Sequence, residues 1–116
     1  MNEQVPSPER VDLKQRIIEG LRERGADDPE TMELFRRWMD ERIREVERIP
    51  NAADNTAYVR AQIGLNLERA RIYLAAGRRD LALADFDDAR LQAEQEGQED
   101  LIRSIDDEVR PLEKGQ

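Results

Sequence analysis

The sequence predicts an all-α fold, and three observations predict it. Ala, Leu, Arg and Glu, all strong helix formers, dominate a chain with almost no β-branched runs. Apolar residues recur at spacings of three and four through successive stretches, the period that stacks side chains on one helical face. Gly and Pro are few and stand at the boundaries between those stretches, where helices stop and start. The 116 residues make one domain, long enough to bury a core without metal or disulfide. The expected architecture is a five-helix antiparallel bundle, or a short helical array closed by a C-terminal capping helix.

Residues 1–7 are expected to be loose. A front half of two helices follows over 8–49. Ser7-Pro8 opens the first helix, Ser as N-cap and Pro at the first helical position. It runs to about Arg24, buries Val11, Ile17, Ile18 and Leu21 with Leu13 alongside, and ends at Gly25. Asp28-Pro29 opens the second by the same device, with Glu30 at the positive end of the dipole. Pro50 stops it after about Arg48. Its apolar positions are Met32, Phe35, Met39, Val46 and Ile49, with Leu34, Trp38 and Ile43 adjacent. The spacing of Met32, Phe35 and Met39, then Arg42 and Val46, is heptad-like, so this helix packs against another helix. That neighbour belongs to its own core or to a second chain. Trp38 and Met39 are candidate partner anchors on that account, because Trp and Met are enriched at interfaces.

Residues 50–55, PNAADN, read as the one linker, with Asp54 or Asn55 capping the third helix. The back half, 56–113, carries the clearest pattern. Ile63, Leu67, Ala70 and Leu74 share one face, and Ile72 and Tyr73 widen it, so this helix should be covered on more than one side. Gly77 is its stop. Asp80–Glu96 then places Leu83, Phe86, Ala89 and Ala93 together, with Ala82 beside them and Gly97 as the stop. Two helices with so short a break fold back antiparallel. The small residues Ala70, Ala82 and Ala89 allow the axes to cross closely. A fifth helix from about Glu99 to Val109 or Leu112 carries Leu101, Ile105 and Val109, with Ile102 and Leu112 alongside, and the tail after it should fray.

Ala70, Tyr73, Gly77, Ala82, Phe86 and Ala89 stand at the offsets of a tetratricopeptide repeat, and residues 63–96 resemble one such unit. Asn66, Arg69 and Glu94 depart from it, standing where that family usually has Trp, Leu and Pro. The pattern does not recur over residues 29–62, so a long array is excluded. The resemblance implies a TPR-like hairpin with the fifth helix as its cap. It also implies a peptide groove along the third helix, lined here by Gly64, Leu67, Arg71 and Leu74. Arg71 would hold an acidic or C-terminal segment by a bidentate contact.

Charge narrows the function classes. The net charge is −8, and residues 1–79 hold 15 acidic and 15 basic side chains against 12 and 4 in residues 80–116. The excess therefore sits in the last third and argues against nucleic-acid or anionic-membrane partners. Arg60, Arg69, Arg71, Arg78 and Arg79 make residues 57–79 the local exception. They read either as that peptide groove or as internal partners of the acidic fourth and fifth helices.

Catalytic groups are scarce. The chain has no His and no Cys, and its six glycines sit singly. The commonest general acid–base group and metal ligand is therefore missing, and thiol chemistry, di-iron Glu-x-x-His sites and phosphate loops have no residues to use. Asp85, Asp87 and Asp88, and Asp106, Asp107 and Glu108, read as solvated faces. No cofactor and no enzyme activity are expected. The N-terminus lacks the layout of a signal peptide and no apolar run is long enough to span a bilayer, so the protein is expected in the cytoplasm. The expected function is a non-enzymatic module that binds a helix or peptide of another protein, through Leu67, Arg71 and Leu74 or through Trp38 and Met39. The alternative is a structural homodimer joined by the apolar stripe of the second helix.

Overall fold

The structure, a computed structural model, describes residues 8–50 and 56–115, with side chains for 13–50 and 56–113. The expectations for residues 1–7, for the side chain of Val11, for linker residues 51–55 with their cap, and for Gln116 lie outside it. Five helices follow in order: α1 (Pro8–Arg24), α2 (Pro29–Glu47), α3 (Thr56–Ala75), α4 (Arg79–Gln95) and α5 (Glu99–Gly115). No strand occurs among the described residues. The fold is an all-α bundle of packed neighbouring helices. Among the described residues no helix is long and apolar enough to cross a membrane.

Helix ends follow local chemistry. Asp28 caps α2, its Oδ2 accepting from the Thr31 amide at 2.9 Å and from the Thr31 hydroxyl at 2.8 Å. Gly77 (φ 78°) ends α3 in the left-handed region that a Cβ disfavours. The amide of Arg78 then reaches back to the Tyr73 carbonyl at 2.8 Å, satisfying one carbonyl at the helix end. Beyond the expected end, α5 continues through Pro111 to Gly115, so residues 113–115 of the tail expected to fray are helical. Not every glycine is a boundary either. Gly20 and Gly64 lie inside α1 and α3.

α3 is the hub. Val59, Ile63, Leu67 and Ala70 join Ala82, Phe86, Ala89 and Ala93 of α4 and Ile105 of α5 in one buried cluster. A different side of the same helix, Leu65 and Ile72, with Ala76 just past its end, joins Leu13, Ile17 and Leu21 of α1 and Leu34 and Trp38 of α2 in a second. The expected cover on more than one side is thus present. Full burial of a side chain such as Ile63 or Phe86 is worth roughly 1.5–3 kcal/mol relative to exposure. The hairpin's small residues Ala70, Ala82 and Ala89 are fully buried where α3 and α4 cross.

α2 corrects the expected stripe. Its buried side is Thr31, Leu34, Trp38 and Val46, with Met32 53% and Ile43 38% exposed. The apolar count points one residue off because it cannot include Thr31. That hydroxyl is buried at no cost in unmade hydrogen bonds, since it donates to the cap carboxylate.

α1 and α2 touch α3, α4 touches α3 and α5, and α5 has no backbone contact with α3. The result is open rather than spherical. The radius of gyration is 15.3 Å, against about 13 Å for a globule of this length. The smallest principal extent is 27 Å, about two helices deep.

Candidate interaction surfaces

The arginines of α3 are spoken for within the chain. Arg69 grips Asp85 of α4 with two hydrogen bonds of 2.8 Å. Asp85 keeps only 9% of its side chain exposed, and this contact compensates its charge. Arg71 does the same to Glu108 of α5 at 2.9 and 2.8 Å. Arg60 reaches Asp100 at the start of α5 at 3.1 and 2.8 Å. Hydrogen bonds from these guanidiniums hold Glu108 and Asp100 below the usual carboxylate range. The carboxylates in turn raise the three arginines above their ordinary value. The basic helix therefore meets the acidic α4 and α5, as the internal reading expects.

That arrangement decides where each candidate residue stands. Leu67 is interior, Leu74 half-buried and packed against the α3–α4 core. Arg71 is exposed at its edge and occupied by Glu108. Gly64 faces open space, with nothing within 4 Å of a Cβ placed on it. Trp38 is 2% exposed and belongs to the α1–α2–α3 core. Met39 lies half-buried at the rim of that core, near Phe35, whose ring stacks edge-on to Tyr73 of α3 at 5.4 Å. The structure does not bring these five residues together as one site.

A different surface does collect apolar groups. Met32, Met39 and Ile43 follow one another along α2 at spacings of seven and four, on a side that turns away from Leu34 and Trp38. Ile43 also walls a shallow groove of about 280 Å³. Val46, Glu47, Tyr58, Gln62, Leu65, Asn66 and Gln92 line the rest of it, so α2 and α4 form its banks and α3 its floor. The floor mixes Tyr58 and Leu65 with Gln62 and Asn66, the α2 bank joins Ile43 and Val46 to the charged Glu47, and Gln62, Asn66 and Gln92 offer amide donors and acceptors. The Asn66 amide reaches the Gln92 side-chain oxygen at 3.4 Å, which orients two of these groups.

Sequence reasoning missed Leu65 and Gln92. Leu65 had a signal: it lies seven residues before Ile72 and eleven before Ala76, a second helical line beside the one that was read. Gln92 had none, because a polar residue on α4 shows its neighbours only once α2 is docked.

The acidic groups do not gather. Asp85, Asp106 and Glu108 pair with Arg69, Arg90 and Arg71. Among the described residues no set of three or more side chains could hold a metal ion. Comparison with protein families, with curated proteins and with solved structures yields no match.

Proposed function

We propose that the chain is a non-enzymatic, cytoplasmic protein-interaction module that takes an amphipathic helix of a partner protein into the groove between α2 and α4. The observation that carries this reading is the placement of α2. One side of it is fully used in the core, yet Met32 and Ile43 remain exposed, Met39 half-buried between them, and Ile43 walls a groove of mixed lining. An apolar stripe beside a groove is the arrangement by which helix-in-groove recognition works. The TPR-like reading of the α3–α4 hairpin belongs to the same proposal. Its buried small residues and its left-handed Gly77 support that reading. The partner site moves from α3 to α2 because Arg71 is already engaged by Glu108.

Selection from a displayed library of amphipathic helical peptides tests the proposal. The expected result is a family of peptides that bind the wild-type chain and lose binding to Ile43→Asp, whose melting temperature stays unchanged. Selected peptides that bind Ile43→Asp as tightly as wild type would contradict it, as would a selection that yields none.

A further inference from the structure

α1 has α2 as its antiparallel partner and α3 has α4, but the backbone of α5 packs on α4 alone, with α3 reaching it only through side chains. Two shallow depressions border α5, one between α4 and α5 lined mostly by charged side chains, Arg90, Asp106 and Arg110 among them, beside Val109, and one lined by Glu99, Ile102, Arg103 and Asp106. Along its outward side run Glu99, Arg103, Asp106 and Arg110, at spacings of four, three and four that keep them on one helical line. Their signs alternate. Such a line could satisfy itself within the helix as Glu99–Arg103 and Asp106–Arg110 pairs, but neither ion pair forms among the described residues. Glu99 and Arg103 have no ion partner there at all. Arg110 has one exposed contact, to Asp107 at 3.2 Å. Asp106 accepts two hydrogen bonds from Arg90 and keeps 40% of its side chain exposed.

The order minus, plus, minus, plus is complementary to itself when one copy is reversed. Two α5 helices laid antiparallel, with the two-fold axis between Ser104 and Ile105, set Glu99 opposite Arg110 and Arg103 opposite Asp106. Each contact occurs twice, as an isologous interface requires. The same register brings Ile102 of each copy close to Val109 of the other, on the side where α4 stands. We propose that this chain self-associates through α5, two copies forming an antiparallel α5 pair with an α4 helix behind each. A parallel pair in register would oppose like charges, and the alternation selects against it. This proposal is independent of the α2 groove.

Sedimentation equilibrium over a wide concentration range tests it, with circular dichroism as the check on folding. The wild-type chain is expected to dimerise reversibly, more weakly as salt rises. Glu99→Arg alone and Arg110→Glu alone should each weaken dimerisation by about tenfold or more, because each change sets two like-charge contacts in a two-fold interface. The double exchange E99R/R110E restores the opposite-charge contacts and should return dimerisation to the wild-type level. A wild-type chain that stays monomeric throughout would overturn the proposal. So would a double exchange as weak as the single changes, and so would loss of dimerisation in Ile43→Asp, which would put the seam on α2.

Discussion

Gly20 and Gly64 both lie within helices, and nothing in the sequence distinguishes them. The structure does. A Cβ at Gly20 would lie 2.2 Å from the Thr31 hydroxyl, where α1 and α2 cross, whereas a Cβ at Gly64 meets nothing within 4 Å. The Thr31 hydroxyl cannot step aside, because it donates to Asp28. Gly20→Ala should therefore destabilise the fold by about 1–3 kcal/mol, and Gly64→Ala should stabilise it by about 0.5–1 kcal/mol through helix propensity. Urea denaturation midpoints of the two variants measure both signs. The Arg69–Asp85 pair is a second residue-scale case. Asp85 keeps 9% side-chain exposure and Arg69 31%, so the two ends of the pair are not equivalent. Arg69→Ala strands a buried carboxylate and should cost about 3 kcal/mol, while Asp85→Ala leaves a guanidinium that can reach water and should cost about half that. Equal losses in denaturant unfolding would contradict this account.

At the scale of the element, helix existence was legible and helix facing was legible only in part. Caps, stops and apolar spacing suffice to place all five helices, because those signals are local. The widened apolar face of α3 also shows in the sequence, and with it the cover on more than one side. α2 shows where local reading stops. Its core line runs through Thr31, a polar residue whose burial depends on a cap hydrogen bond, so counting apolar residues points one position away. Trp38, which composition suggests as an anchor for a partner, is core. The two roles on α2 separate in a pair of variants. Trp38→Ala should cost about 3–5 kcal/mol of folding stability, as large core truncations do. Ile43→Asp should leave the thermal midpoint within a few degrees of wild type. A severe loss of stability from Ile43→Asp would place Ile43 in the core and remove it from the groove's bank.

At the scale of the whole molecule, the uneven charge has a structural role. The acidic last third supplies partners for the arginines of α3, and bonds from α3 to both α4 and α5 result: Arg69 to Asp85, Arg60 to Asp100 and Arg71 to Glu108. Which arginine meets which carboxylate was not legible, since that depends on how α5 lies over α3. These contacts make the fold sensitive to acid. Arg60, Arg71 and Arg90 depress Asp100, Glu108 and Asp106, Arg36 depresses Glu33, and the Thr31 amide depresses Asp28. A carboxyl depressed in the folded state adds stability above its unfolded pKa, and that stability disappears as pH falls through the folded one. Denaturant midpoints should therefore hold steady from neutral pH to about 5 and fall steadily below about 4. Midpoints that rise on acidification would refute the linkage.

The groove between α2 and α4 also exists only at this scale, because Ile43, Tyr58, Leu65 and Gln92 come from three helices. It is the centre of the functional account, and one measurement addresses it most directly. Two-dimensional NMR of the chain, titrated with a helical peptide selected for binding, reports each residue separately. The account predicts shift changes at Met39, Ile43, Tyr58, Gln62 and Gln92, with Gly64 and Arg71 unmoved. Changes confined to Gly64, Arg71 and Glu108 would contradict it and return the binding site to the α3 face.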